Sequence, residues 1–231
     1  MNRNHPDVGP FERHLRDAIA LNESRAGFYA SMSDGASFPV TRRLIRIERM
    51  LLPVARWMDR RASRYHAAGI PLLEAVFAPM HAAPPPGTLP PTCVTARALP
   101  TVLVARRDVR EAYRDGGFGA ARRAIDRHLA ELQRGPAVDC MVRHLLESAR
   151  RVADLAPVHA AQAEALDLPS PLWISGLLLR LHILGLIQAV RLDAQAYPLQ
   201  CRGIPILSSD LPAIPEDSCL PLIAPSYWLP P

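Results

Sequence analysis

The sequence predicts a mainly α-helical protein, built from a helical N-terminal part and a helical C-terminal part. Three observations carry this. Apolar residues recur at three- and four-residue spacing over long runs, the period of a helix that buries one face. Only one short run, TVLVARR at 101–107, reads as a strand. Most of the 24 prolines lie in APMHAAPPPGTLPPT (78–92) and after Tyr197, so most of the remaining chain is free to be helical. The expected organisation is therefore a helical part at 1–83, a Pro-rich linker at 84–100, a helical domain at 101–205 and an extended Pro-rich tail at 206–231.

In chain order, FERHLRDAIALNESRAGFYASMS (11–33) reads as a helix with Phe11, Leu15, Ile19 and Ala20 on one side. Thr41 is placed to cap a second helix, which Pro53 kinks or ends before VARWMDRRASRYHAAG continues to a glycine stop. IPLLEAVFAPMHAA (70–83) reads as a short apolar helix. DVREAYRDGG and FGAARRAIDRHLAELQRG are two helical runs parted by Gly116 and Gly117. In AVDCMVRHLLESARRVADLA (137–156), Val138, Met141, Leu145, Ala149, Val152 and Leu155 share a face.

Composition narrows the class of protein. Of 231 residues, 49% are hydrophobic and 21% charged, the balance of an ordinary globular chain. MNRNHPDVGPF has no apolar core, which argues against a signal peptide or an anchor. Cys93, Cys140, Cys201 and Cys219 form no C-x-x-C pair, so neither a zinc site nor a disulfide scaffold is expected. All 27 basic residues are Arg, and Lys is absent. A GC-rich genome accounts for that, or selection against lysine modification in an effector delivered into a host cell. The location expected is cytoplasmic, with the delivered effector as the alternative. The formal charge of +5 concentrates early: residues 1–66 hold 12 Arg against 7 acids, and residues 168–231 hold 3 against 4. An acidic partner should meet the N-terminal third.

WISGLLLRLHILGLIQAV (173–190) is the most apolar stretch. Its ten Leu and Ile, counted from 172, favour membrane insertion. Each contributes about 0.3–0.6 kcal/mol, while a central Arg such as Arg180 costs about 2.5–3.5. With His182, Ser175 and Gln188 added, the balance does not favour a membrane span. The pattern Ile174-Ser175-x-Leu177-Leu178-x-Arg180-Leu181-x-x-Leu184-Gly185-Leu186-Ile187 resembles the winged helix-turn-helix of MarR-type bacterial regulators. The resemblance covers 157–203, with 137–156 as the module's first helix. It implies a recognition helix that ends at Gly185 and a wing hairpin made of LIQAVRL and AYPLQCR. Leu172, Trp173, Leu179 and Ile183 then stand where base-reading side chains belong. Phosphate contacts would fall to Arg180, Arg191 and Arg202 alone. A face this apolar suits protein docking better than DNA.

Two further patterns bear on chemistry. Arg42, Arg46, Arg49, Arg56, Arg60 and Arg64 repeat at three, four and seven residues, opposite Leu44, Ile47, Leu51, Met58 and Ala62. They form either a solvated helix face or a surface for an acidic or other anionic partner. His128-x-x-Glu131 and His144-x-x-Glu147 suggest i,i+3 surface pairs, because a carboxylate-bridged metal pair needs further Glu that are not evident. RDGGFGAARR is read as a helix end followed by a new helix, with an anion cradle as the alternative. No catalytic residue, metal site or cofactor is expected. The function expected is a non-catalytic adaptor or regulator that docks a protein partner or itself. The alternatives are a helical-bundle enzyme or small-ligand binder, and a winged-helix transcription regulator that binds nucleic acid.

Overall fold

A computed structural model describes residues 8–16, 19–20, 23, 39–73, 95–133 and 140–201. Five helices and no strand occur among them. Helix α1 covers 10–16, with further helical residues at 19–20 and 23. Then follow α2 (Pro39–Ala67), α3 (Thr95–Gln133), α4 (Cys140–Ala165) and α5 (Leu172–Cys201). The Pro-rich stretch at 84–94, the tail at 206–231 and residues 74–83 of the expected short helix lie outside the described residues.

Several expected boundaries move. The run 101–107 is helix rather than strand. Val102, Ala105 and Val109 are all buried, at helical spacing. Burial of that face outweighs the β preference of its Val and Thr residues. Because α3 starts at Thr95, the last residues of the expected linker are its first turns. Helix α2 runs through Pro53 instead of ending there. Pro53 is exposed, so its ring meets water while the carbonyl of Arg49 loses its helical donor. The expected glycine stop of α2 does form: Gly69 has φ 80°, and Ile70 N donates to Tyr65 O at 2.8 Å.

Helix α3 is a hairpin of two arms. Gly116 (φ −145°, ψ 20°) and Gly117 (φ 64°, ψ −156°) leave helical geometry in its middle. A straight helix would hold Asp108 and His128 about 30 Å apart. Instead His128 Nε2 lies 3.4 Å from Asp108 Oδ2. The arms fold back on each other, and Gly117 takes a conformation that side chains resist.

Helix α1 is held by a carboxylate from another helix. Asp59 of α2 accepts hydrogen bonds from Phe11 N (3.0 Å) and Glu12 N (2.8 Å). It thereby supplies the cap that Gly9 cannot, while Gly9 O accepts the first helical bond from Arg13 N at 2.9 Å. A Cβ at Gly9 would overlap the Asp59 carboxyl group. Burial raises the Asp59 pKa, only partly opposed by the two amide donors. Burial pushes Glu12 the same way, but its hydrogen bonds from Arg56 (2.8 Å) and Arg16 outweigh that and hold its carboxyl below the usual range.

Helix α5 packs on α4, on α3 and on α2. Its Leu172–Val190 stretch is long and apolar enough to cross a membrane, and more than half of it is buried inside the protein. Ile174, Leu178, Leu186 and Ala189 are fully buried, and residues from Phe11 to Val190 form one hydrophobic core. The expected parts at 1–83 and 101–205 therefore share a core. Tyr65 ties α2 to the α4–α5 turn by donating to Pro169 O at 2.8 Å. The wing hairpin does not form, because α5 continues unbroken through Gly185 to Cys201. Gly185 is there for packing: a Cβ on it would stand 3.1 Å from Leu145 Cδ1 of α4.

Two measurements check this account. Asp59→Ala should destabilise the protein by about 1–2 kcal/mol in urea unfolding, the scale of a lost helix cap. Asp59→Asn should lose less, since it keeps an acceptor and removes a buried charge; equal losses would refute the cap. His182 is buried, with Nδ1 2.7 Å from Leu178 O, and burial lowers its pKa to about 4 against the opposing hydrogen bond. The unfolded chain takes up this proton near pH 6.5 and the folded protein only near pH 4. Stability present above pH 6.5 should thus fall by about 3 kcal/mol as the pH drops through that window. An imidazole resonance of His182 that titrates near its ordinary value in NMR would contradict this.

Candidate functional site

A half-open groove of about 870 Å³ lies between the first arm of α3 and the first half of α5. Its apolar floor includes Val109, Leu179 and Ile183, all buried. Tyr113 and Phe118, on either side of the Gly116–Gly117 turn, meet edge to face at 5.0 Å and 62°. Leu172 and Leu184, both exposed, also line it, one on each side of that floor along α5.

Four arginines line the same groove: Arg106, Arg110 and Arg114 from α3, and Arg180 from α5. Residues four apart on a helix stand in a row, so α3 presents three guanidiniums along one edge. Like charges at this spacing cost roughly 0.2–0.5 kcal/mol per pair. Arg114 is neutralised by Asp115 at 2.7 Å. That hydrogen bond raises the Arg114 pKa and lowers that of Asp115. The Arg180 guanidinium lies 6.0 Å from the centre of the Tyr113 ring, a cation–π contact across the groove. Arg106 and Arg110 have no ion-pair partner among the described residues.

The spacing of α5 from α3 depends on Gly176. A Cβ at this buried position would overlap the Tyr113 hydroxyl, whereas the next ring atom, Cζ, is 3.4 Å away. Tyr113 stands against the α5 backbone here and forms part of the groove wall.

The structure divides the apolar docking face read from the sequence. Leu179 and Ile183 are buried in the groove floor, and Leu172 lines the groove while exposed. Trp173 is outside the groove lining and packs edge-on against Trp57 of α2 at 5.4 Å. The arginine stripe of α2 is exposed throughout. Parts of it are already engaged: Arg49 pairs with Glu23, Arg56 with Glu12, and Arg64 donates to the Tyr65 hydroxyl at 2.9 Å. Arg42, Arg46 and Arg60 have no ion pair among the described residues.

The two His/Glu pairs differ from surface pairs. His128 is buried, between Asp108 and Glu131 at 3.4 and 3.3 Å, and so joins the arms of α3. His144 is buried as well. No group of three His, Cys, Asp or Glu suited to a metal ion occurs among the described residues. In RDGGFGAARR the glycines make the hairpin turn, and Arg122 pairs with Asp154 at 2.5 Å.

Sequence reasoning missed the row Arg106, Arg110, Arg114. The four-residue spacing is visible in the sequence, but a strand at 101–107 breaks the helical frame that would connect Arg106 to Arg110 and Arg114. Comparison with known protein families, curated proteins and solved structures finds no match to this chain.

Gly176→Ala tests the wall geometry. Helix propensity favours Ala by up to about 1 kcal/mol. Overpacking against the Tyr113 hydroxyl costs about 1–3 kcal/mol, so the single variant should be less stable than the wild type. In a Tyr113→Phe background the clash is gone, and Gly176→Ala should become neutral or stabilising. Additive effects of the two substitutions in thermal unfolding would show that the contact is not made.

Proposed function

We propose that the protein is a non-catalytic docking protein, an adaptor or regulator that binds a protein partner in the α3–α5 groove. The observation that carries this reading is the lining itself: an apolar floor edged by four guanidiniums. Guanidiniums stay protonated and donate hydrogen bonds without exchanging protons. Apart from them the lining holds one phenol, and its other residues are apolar or glycine. Such a lining binds well and is poorly equipped for acid–base chemistry. Arg and Tyr, both present in the lining, are among the residue types enriched at interaction hot spots.

A small amphiphile is the second reading, since the volume falls within the range of ligand pockets, roughly 300–1,000 Å³. The exposed leucines at both ends favour the larger occupant. The winged-helix regulator is less well supported, because its wing is replaced by helix and its reading face is partly buried.

A photo-crosslinking amino acid at Leu184 should form an adduct with another polypeptide in cells that make the chain. The same group at Arg150, exposed on α4 and outside the groove, should not. Native mass spectrometry supplies the opposing arm. A stoichiometric small molecule that co-purifies with the chain, and is lost on Ile183→Asp, would replace docking with ligand binding.

A further inference from the structure

Resting on that docking reading, we propose that the occupant is an acidic amphipathic helix of the partner, with carboxylates aligned on Arg106 and Arg110, the two members of the row that no carboxylate of the described residues already pairs. The inference begins from how the positive charge is distributed. Three guanidiniums recur every four residues over about 12 Å of α3. A helix laid alongside presents Asp or Glu at the same repeat, so each carboxylate meets one arginine in a bidentate pair. The groove runs from Leu172 to Leu184, about 18 Å or three helical turns. That length accommodates apolar anchors at i, i+3 or i+4, and i+7, the mode by which helices fill grooves.

Other anions fit the charge pattern less well. A fatty-acid-like amphiphile has one charged end and would leave the rest of the arginine row uncompensated. A single-stranded nucleic acid offers spaced phosphates but needs open aromatic faces for its bases. Tyr113 and Phe118 are turned edge to face on each other, and Arg180 lies over the Tyr113 ring. The floor beneath is aliphatic, as Val109, Leu179 and Ile183 show.

The charge is also available. Arg56, Arg122 and Arg150 elsewhere have carboxylate partners within the chain. Arg106 and Arg110 have none among the described residues. Leu103 stands one turn before Arg106 on the same side of α3 and is 46% exposed, which extends the apolar surface beyond the groove. Charge left unpaired beside apolar surface left uncovered is the complement of an acidic amphipathic helix.

The test is selection of random 16-residue peptides, displayed on phage, against the full chain at low salt. Enriched peptides should carry Asp or Glu at three- or four-residue spacing, with Leu, Ile or Phe between. Fluorescence anisotropy should show binding that weakens as salt rises. It should fall about tenfold or more for the double variant Arg106→Glu, Arg110→Glu, whose thermal midpoint stays near that of the wild type. Enrichment of uncharged peptides that bind this variant equally well would overturn the acidic helix and leave the docking reading standing. Failure to enrich any peptide, with a single-stranded oligonucleotide or laurate binding instead, would overturn both. A groove-dependent dimer of the chain, or peptide binding only after removal of 206–231, would assign the groove to the chain itself and overturn the partner.

Discussion

Leu178 has no exposed surface, and neither do Ile174, Leu186 and Ala189 along the same helix. A helix as apolar as α5 is stable in water only when other elements cover most of its circumference. Each neighbour can be understood from that requirement. The amphipathic face of α4, with Leu145, Ala149 and Val152, covers one side and comes close because Gly185 has no side chain. The folded-back α3 covers another. The C-terminal half of α2 reaches α5 through Trp57 against Trp173 and is latched by Tyr65 to Pro169. Where the first arm of α3 diverges from α5, the cover is incomplete, and the groove is that gap.

Charge is organised by the same packing. The cationic α2 is drawn to acidic residues of the N-terminal segment, through Arg56 to Glu12 of α1 and Arg49 to Glu23 beyond it. The second arm of α3 and α4 share a network in which Arg122 and Arg150 alternate with Asp126 and Asp154. Each such exposed pair contributes little stability, at most about 1 kcal/mol, but together they fix which helix faces meet. Of the groove arginines, Arg114 pairs with Asp115, while Arg106 and Arg110 have no ion pair among the described residues. Their charge stands beside an apolar surface, where a low-dielectric wall strengthens its field.

Much of the fold was legible because it rests on local signals. Leu145, Ala149 and Val152 of the 137–156 face are buried as their spacing predicts, Gly116–Gly117 break α3 where two runs were expected, and Gly69 ends α2. What failed was ambiguous at short range. TVLVARR has β-branched residues but is helical, because Val102, Ala105 and Val109 face a core that only the folded chain supplies. Gly185 reads equally as a helix end or as a notch for a neighbouring side chain, and only Leu145 decides between them. Of the four residues read as one apolar face, Leu172, Leu179 and Ile183 line the groove, while Trp173 turns to Trp57. The arginine row was obscured by the strand assignment rather than by any lack of periodicity.

An apolar groove edged by charge must also tolerate being empty. Arginine suits this, because its methylene stem lies on apolar surface while its head stays in water. Arg106 is only partly exposed, in contrast to Arg110 and Arg114, consistent with a stem that shields the floor. The contact of Arg180 with Tyr113 spans the groove in the same manner. The side chains proposed to meet a carboxylate therefore also limit the apolar surface exposed to water. Lys in these positions would cover less and could not pair bidentately.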